Sequence, residues 1–115
     1  MMSVQEHLRR LGIGRQLKGY RCILLVVELA IQDETRLLCV RELLYQPVAM
    51  QMGCDFRCIE RNIRIAIKHA WCRNPVYLAH LSGYPLTEPP TSVQFIDILT
   101  SFYLREKDRD KELSL

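Results

Sequence analysis

The chain has 115 residues, 49% apolar and 25% charged, with a net charge of +3, which is the balance of an ordinary single globular domain. Its most apolar run, Ile23 to Ala30, is short and carries Glu28, so it falls well below the ~20 apolar residues a membrane span needs. Five cysteines, an odd number without framework spacing, and the lack of a signal peptide argue against a disulfide scaffold and for a reducing cytoplasm.

Ser3 to Leu11 reads as a short helix. Ser3 can cap it, Glu6 completes a capping box, and Val4, Leu8 and Leu11 form the apolar stripe. Gly12 and Gly14 end it, and a loop with Arg15 and Lys18 follows. Gly19 to Asp33 is the second helix. Tyr20, Ile23, Leu24, Val27, Ala30 and Ile31 give it a wide apolar face that Leu25, Val26 and Leu29 broaden further. A helix apolar on most sides belongs at the centre of its domain. A third element starts at Asp33 or Thr35 and runs to about Leu44.

Tyr45 to Trp71 has the layout of a helix-turn-helix. Pro47 suits the first turn of a helix, where its missing N–H costs nothing. Gly53 supplies a tight turn and Asp55 can cap the helix 56–72. Ala49, Gly53 and Ile59 are the small, turn and β-branched positions that such a unit needs. At 100° per residue, Ile59, Ile63, Ala66 and Ala70 fall within about 60° of each other, and Arg57, Arg61, Arg64 and Lys68 form a separate stripe of similar width. Charge placement agrees with this division. Residues 44–73 hold five basic side chains against two acidic ones, as do residues 1–32, whereas only Glu88 and Asp97 are charged between Asn74 and Leu104.

Asn74-Pro75 is a stop signal. Val76 to Leu81 reads as a short helix closed by Ser82-Gly83, and Tyr84 to Pro90 as a proline-rich loop. Thr91 or Ser92 caps a last, strongly apolar helix to about Arg105. Residues 1–105 then form the domain, and residues 106–115 a frayed, charged, solvated tail.

Arginine can pair bidentately with guanine O6 and N7, and the start of such a helix enters the major groove. Arg57 and Arg61 are therefore the candidates for base reading, and Arg64 and Lys68, further along, for phosphates. The plainer alternative for each is a solvated surface charge. Glu60 either accepts from a cytosine amino group or pairs with Arg64 four residues on. Gln51 and Arg41 are candidates for phosphate contact from the preceding helix, and Arg15, Lys18 and Arg21 form a second basic cluster. Cys54, Cys58, His69 and Cys72 do not converge as a metal site, because Cys58 and His69 lie about three turns apart on one helix. Cys58 sits beside an arginine that could lower its pKa, which would make a redox-sensitive reader. No paired acids, phosphate loop or nucleophile arrangement is present, so neither an enzyme nor a cofactor is expected.

The segments HLRRLGI, LKGY, LLYQPVAMQM, IERNIRIAIKHAWCR, LSGYP and PPTSVQFI, from about His7 to Arg105, are far more specific than the helix-turn-helix alone. Through them the chain resembles the C-terminal DNA-binding effector domain of the sporulation master response regulator of endospore-forming bacteria. The resemblance implies a compact all-α domain of six helices with a central helix-turn-helix. It also implies sequence-specific binding to double-stranded promoter boxes, and head-to-tail homodimers on adjacent boxes through the last helices. The family's recognition helix carries an Arg-x-Glu-Arg set. Glu60 and Arg61 match its last two members and Arg64 a further basic position, while Cys58 replaces the leading arginine and Ile65 a histidine. The family also has a receiver domain, for which a chain starting at Met1 leaves no room. The expected function is a stand-alone transcription regulator. The alternative is a protein-interaction module that pairs with a full-length regulator and antagonises it without strong DNA binding.

Overall fold

Ser3 opens the first helix through the expected reciprocal cap. The Glu6 N–H donates to Ser3 Oγ at 3.2 Å, and the Ser3 N–H reaches back to Glu6 Oε1 at 3.5 Å. The structure, a computed structural model of the chain, describes residues 1–113. Within them it is all-α: α1 Val4–Arg10, α2 Lys18–Gln32, a 3-10 segment Glu34–Cys39, a π turn Arg41–Tyr45, α3 Gln46–Met52, α4 Phe56–Arg73, α5 Pro75–Ser82 and α6 Ser92–Leu113.

The expected apolar faces are the ones that bury. Leu8, Leu11, Ile23, Val27, Ala30, Ile59, Ile63 and Ala70 are each fully buried. Full burial of such a branched side chain is worth roughly 1.5–3 kcal/mol, so these faces outweigh any single polar contact in the fold. α2 is central, packing against α1, α3, α4 and α6. Its approach to α4 depends on Gly19. A Cβ there would lie 2.4 Å from the Asn62 carbonyl oxygen and 2.9 Å from Ala66 Cβ.

Two expectations about boundaries need correction. The third element, expected from Asp33 or Thr35 to about Leu44, is two pieces of different pitch, Glu34–Cys39 and Arg41–Tyr45. Asp33 caps the 3-10 segment, accepting from the Thr35 N–H at 3.1 Å, and the backbone re-enters helix at Val40. Pro47 does lie in the first turn of α3, as expected, but that helix has no separate start. Both Val40 and Gln46 are right-handed helical, and the Gln46 N–H bonds to the Arg41 carbonyl five residues back, so α3 grows directly out of the π turn. The cause lies in proline chemistry. Without an N–H, Pro47 leaves the Leu43 carbonyl unserved, and the Arg36 guanidinium donates to it at 2.7 Å. Lastly, α6 does not end near Arg105 but continues to Leu113, with the side chains from Lys107 to Leu113 exposed. Residues 114 and 115 of the expected tail lie outside the described residues. Thr91 and Gln94 form the cap of α6, the Gln94 N–H donating to Thr91 Oγ1 at 3.1 Å and the Thr91 N–H to Gln94 Oε1 at 2.9 Å.

Among the described residues, three polar ones lie in the core, His7, Ser92 and Thr100. His7 is 2% exposed, its Nδ1 is 2.7 Å from the Tyr77 hydroxyl, and its ring meets Phe102 edge-on. Nε2 is buried and has no hydrogen-bond partner among the described residues. Burial, the largest influence, holds the imidazole below its ordinary pKa of 6.5, with Arg10 and His80 adding to the effect against Glu106 and Glu6. The unfolded chain therefore binds a proton that the folded chain refuses. Stability from this site is complete above pH 6.5 and falls as pH drops through 6.5 toward the lower folded value. Urea unfolding of wild type and His7→Asn at pH 7 and pH 5 checks this. Wild type should lose more stability on acidification than the variant, and equal losses would refute it.

Candidate nucleic-acid interface

The turn before α4 is built as its residues require. Gly53 has φ +71°, in the left-handed region that glycine enters without steric cost. The Cys54 N–H bonds to the Ala49 carbonyl at 2.9 Å and the Gly53 N–H to Met50 at 3.3 Å, which closes α3 as a Schellman motif. Asp55 then caps α4, its Oδ1 accepting from the Arg57 N–H at 2.8 Å. Ala49 is 3% exposed and Ile59 is fully buried. Helix, turn and helix therefore follow in the expected spacing.

α4 has two distinct sides. Ile59, Ile63, Ala66, Ile67 and Ala70 face the core. Arg57, Arg61, Arg64 and Lys68 are all exposed, as is Gln51 on α3. The cations differ in how they are held. The Arg57 guanidinium lies 5.6 Å from the centre of the Phe56 ring, and Arg41 lies 4.6 Å from the same ring. This brings Arg41 to the start of α4, a placement that helical spacing could not supply across the π turn. Arg64 Nε is 3.9 Å from Glu60 Oε1, the intrahelical alternative foreseen for Glu60. An exposed pair this long is worth no more than about 0.5 kcal/mol, so it orients Glu60 and Arg64 without locking them away from a ligand. Among the described residues, Arg61 and Lys68 have neither an ion-pair nor a hydrogen-bond partner.

Cys58 lies at the edge of the stripe rather than on it. It is half-buried, and its Sγ accepts from Asn62 Nδ2 at 3.4 Å. Cys54 is exposed in the turn, where partial desolvation and then Cys58 beside it hold its thiol above the ordinary range. Cys22, beneath them, is pushed up to about 11, chiefly by burial. Ile65 is 45% exposed next to the stripe. Among the described residues no group of three or more His, Cys, Asp or Glu is placed to hold a metal ion, and no helix is long and apolar enough to cross a membrane.

An all-α domain that buries one face of a capped helix and offers a row of cations on the other is of the class that carries helix-turn-helix regulators. The chain belongs to the family described as Sporulation initiation factor Spo0A C terminal, whose model matches residues 4–102. That family is the DNA-binding effector domain of the sporulation regulator and is not an enzyme family.

Proposed function

We propose that this chain is a sequence-specific DNA-binding transcription regulator that reads the major groove of promoter boxes with α4. The observation that carries the reading is the exposure of Arg57, Arg61, Arg64 and Lys68 along one side of a helix whose other side is buried. Arg61, unpartnered and near the start of α4, reads a base. Arg57 and Glu60 stand beside it as further base contacts, and Cys58 borders them where the family has arginine. Arg64 and Lys68 hold phosphates, with Gln51 and Arg41 contributing from the preceding helix. Residues 1–105 form the binding unit, with 106–115 as a charged, solvated extension. Two copies pair head to tail on adjacent boxes through their last helices, and the protein works in the cytoplasm.

The test is titration onto a duplex selected from random DNA and onto a scrambled duplex, at several salt concentrations. A reader of this kind gives a steep decline of log affinity with log salt, and a preference of roughly 10³-fold or more for the selected duplex. Weak binding to both, without preference, would overturn the proposal and return the chain to the interaction-module reading.

A further inference from the structure

The basic stripe of α4 is bordered on both sides. On one side a cleft of about 250 Å³ separates Gln16 to Gly19 from Asn62, Ile65 and Ala66. On the other, a cleft of about 320 Å³ separates Glu60, Arg64, Ile67 and Lys68 from Pro89 to Ser92. At 100° per residue, Asn62 and Ala66 fall to one side of the Arg57–Arg61 line, and Glu60 and Ile67 to the other. Each cleft carries an exposed lysine, Lys18 in the first and Lys68 in the second.

A helix is about 10–12 Å across with its side chains, and the major groove is about 12 Å wide. A helix seated in the groove therefore has one sugar-phosphate strand on each flank. The position of Lys18 runs against the needs of the fold. It lies in the first turn of α2, which holds no acidic residue and whose N-cap, Leu17, makes no side-chain cap bond. A cation there opposes the helix dipole. In the second cleft Thr91 Oγ1 accepts from the Gln94 N–H, and its own O–H remains a donor without a partner among the described residues. The Glu60 carboxylate faces this cleft too, but Arg64 and Lys68 outweigh it by one charge.

We propose that Lys18 and Lys68, each at the mouth of its cleft, seat backbone phosphates of opposite DNA strands, so that the protein straddles the groove that α4 reads. This rests on the DNA-reading function proposed above. The test is phosphate ethylation interference on the selected duplex, with wild type, Lys18→Ala and Lys68→Ala. Wild type should give one interference cluster on each strand of each box it occupies. Lys18→Ala should erase the cluster on one strand only and Lys68→Ala the cluster on the other, each lowering the log–log salt slope by about 0.9. Both lysines are exposed, so neither variant should change the far-ultraviolet circular dichroism. An unchanged pattern for Lys18→Ala, or loss of the same cluster by both variants, overturns the straddling arrangement while leaving sequence-specific binding intact. A wild type that selects no duplex overturns both.

Discussion

Gly19→Ala is expected to destabilise the protein by about 3 kcal/mol and to lower Tm by roughly 10 °C. On helix propensity alone the change should help, since alanine is favoured over glycine in a helix by about 1 kcal/mol. The obstacle is the neighbour. The new Cβ would sit 2.4 Å from the Asn62 carbonyl oxygen and 2.9 Å from Ala66 Cβ, and neither can rotate away because both belong to the body of α4. The two helices must separate, which loosens contacts around Ile23, Ile63 and Val27, all fully buried. Gly14→Ala is the control. Its Cβ would come equally close, 2.5 Å, but to Gln16 Oε1, the end of a flexible exposed side chain, and its φ is not in the left-handed region. That variant should lie within about 1 kcal/mol of wild type. Urea unfolding of the pair checks the argument, and a Gly19→Ala cost under about 0.5 kcal/mol would refute the close approach.

The pair also marks where the sequence could be read and where it could not. The periodicity of Ile59, Ile63, Ala66 and Ala70 identified the buried side of α4, because burial at a fixed helical period is a local property. Ser3, Gly53, Asp55 and Gly83 marked boundaries for the same reason, since a cap acts on the next few residues. What Gly19 touches is not local. Asn62 lies 43 positions away, and nothing in LKGY states that a carbonyl of another helix will press on it. The His7–Tyr77 pair, 70 residues apart, was hidden in the same way. The π turn escaped because its cause is split between Pro47 and Arg36, and only folding brings that guanidinium to Leu43. The end of α6 was misplaced because alternating charges read as solvated tail, whereas the opposite charges of this run also recur at i,i+3, which supports a helix. In the interface the identity of the cations was legible and their restraint was not. Only coordinates separate Arg57, drawn over Phe56, and Arg64, beside Glu60, from the unpartnered Arg61.

That separation gives the largest effect expected on function. Arg61→Ala should weaken binding to the selected duplex by roughly 10- to 100-fold, the ~1–3 kcal/mol of a bidentate base contact. Arg61→Lys is the sharper variant. It keeps the charge, so any phosphate or long-range attraction survives and the salt slope should not move. It loses the planar fork that matches guanine O6 and N7 together, so preference for the selected duplex should fall almost as far as with alanine. Lys68→Ala should behave in the opposite way, weakening selected and scrambled duplexes by the same factor and lowering the slope. The two signatures cannot both come from a solvated charge, which would leave slope and preference untouched. Fold loss is not expected to intrude, because Arg61 and Lys68 are exposed on a helix held by Ile59, Ile63 and Ile67 beneath them. If Arg61→Lys binds the selected duplex as wild type does, Arg61 contributes charge alone. Base reading would then pass to Arg57, whose guanidinium must first leave the face of Phe56.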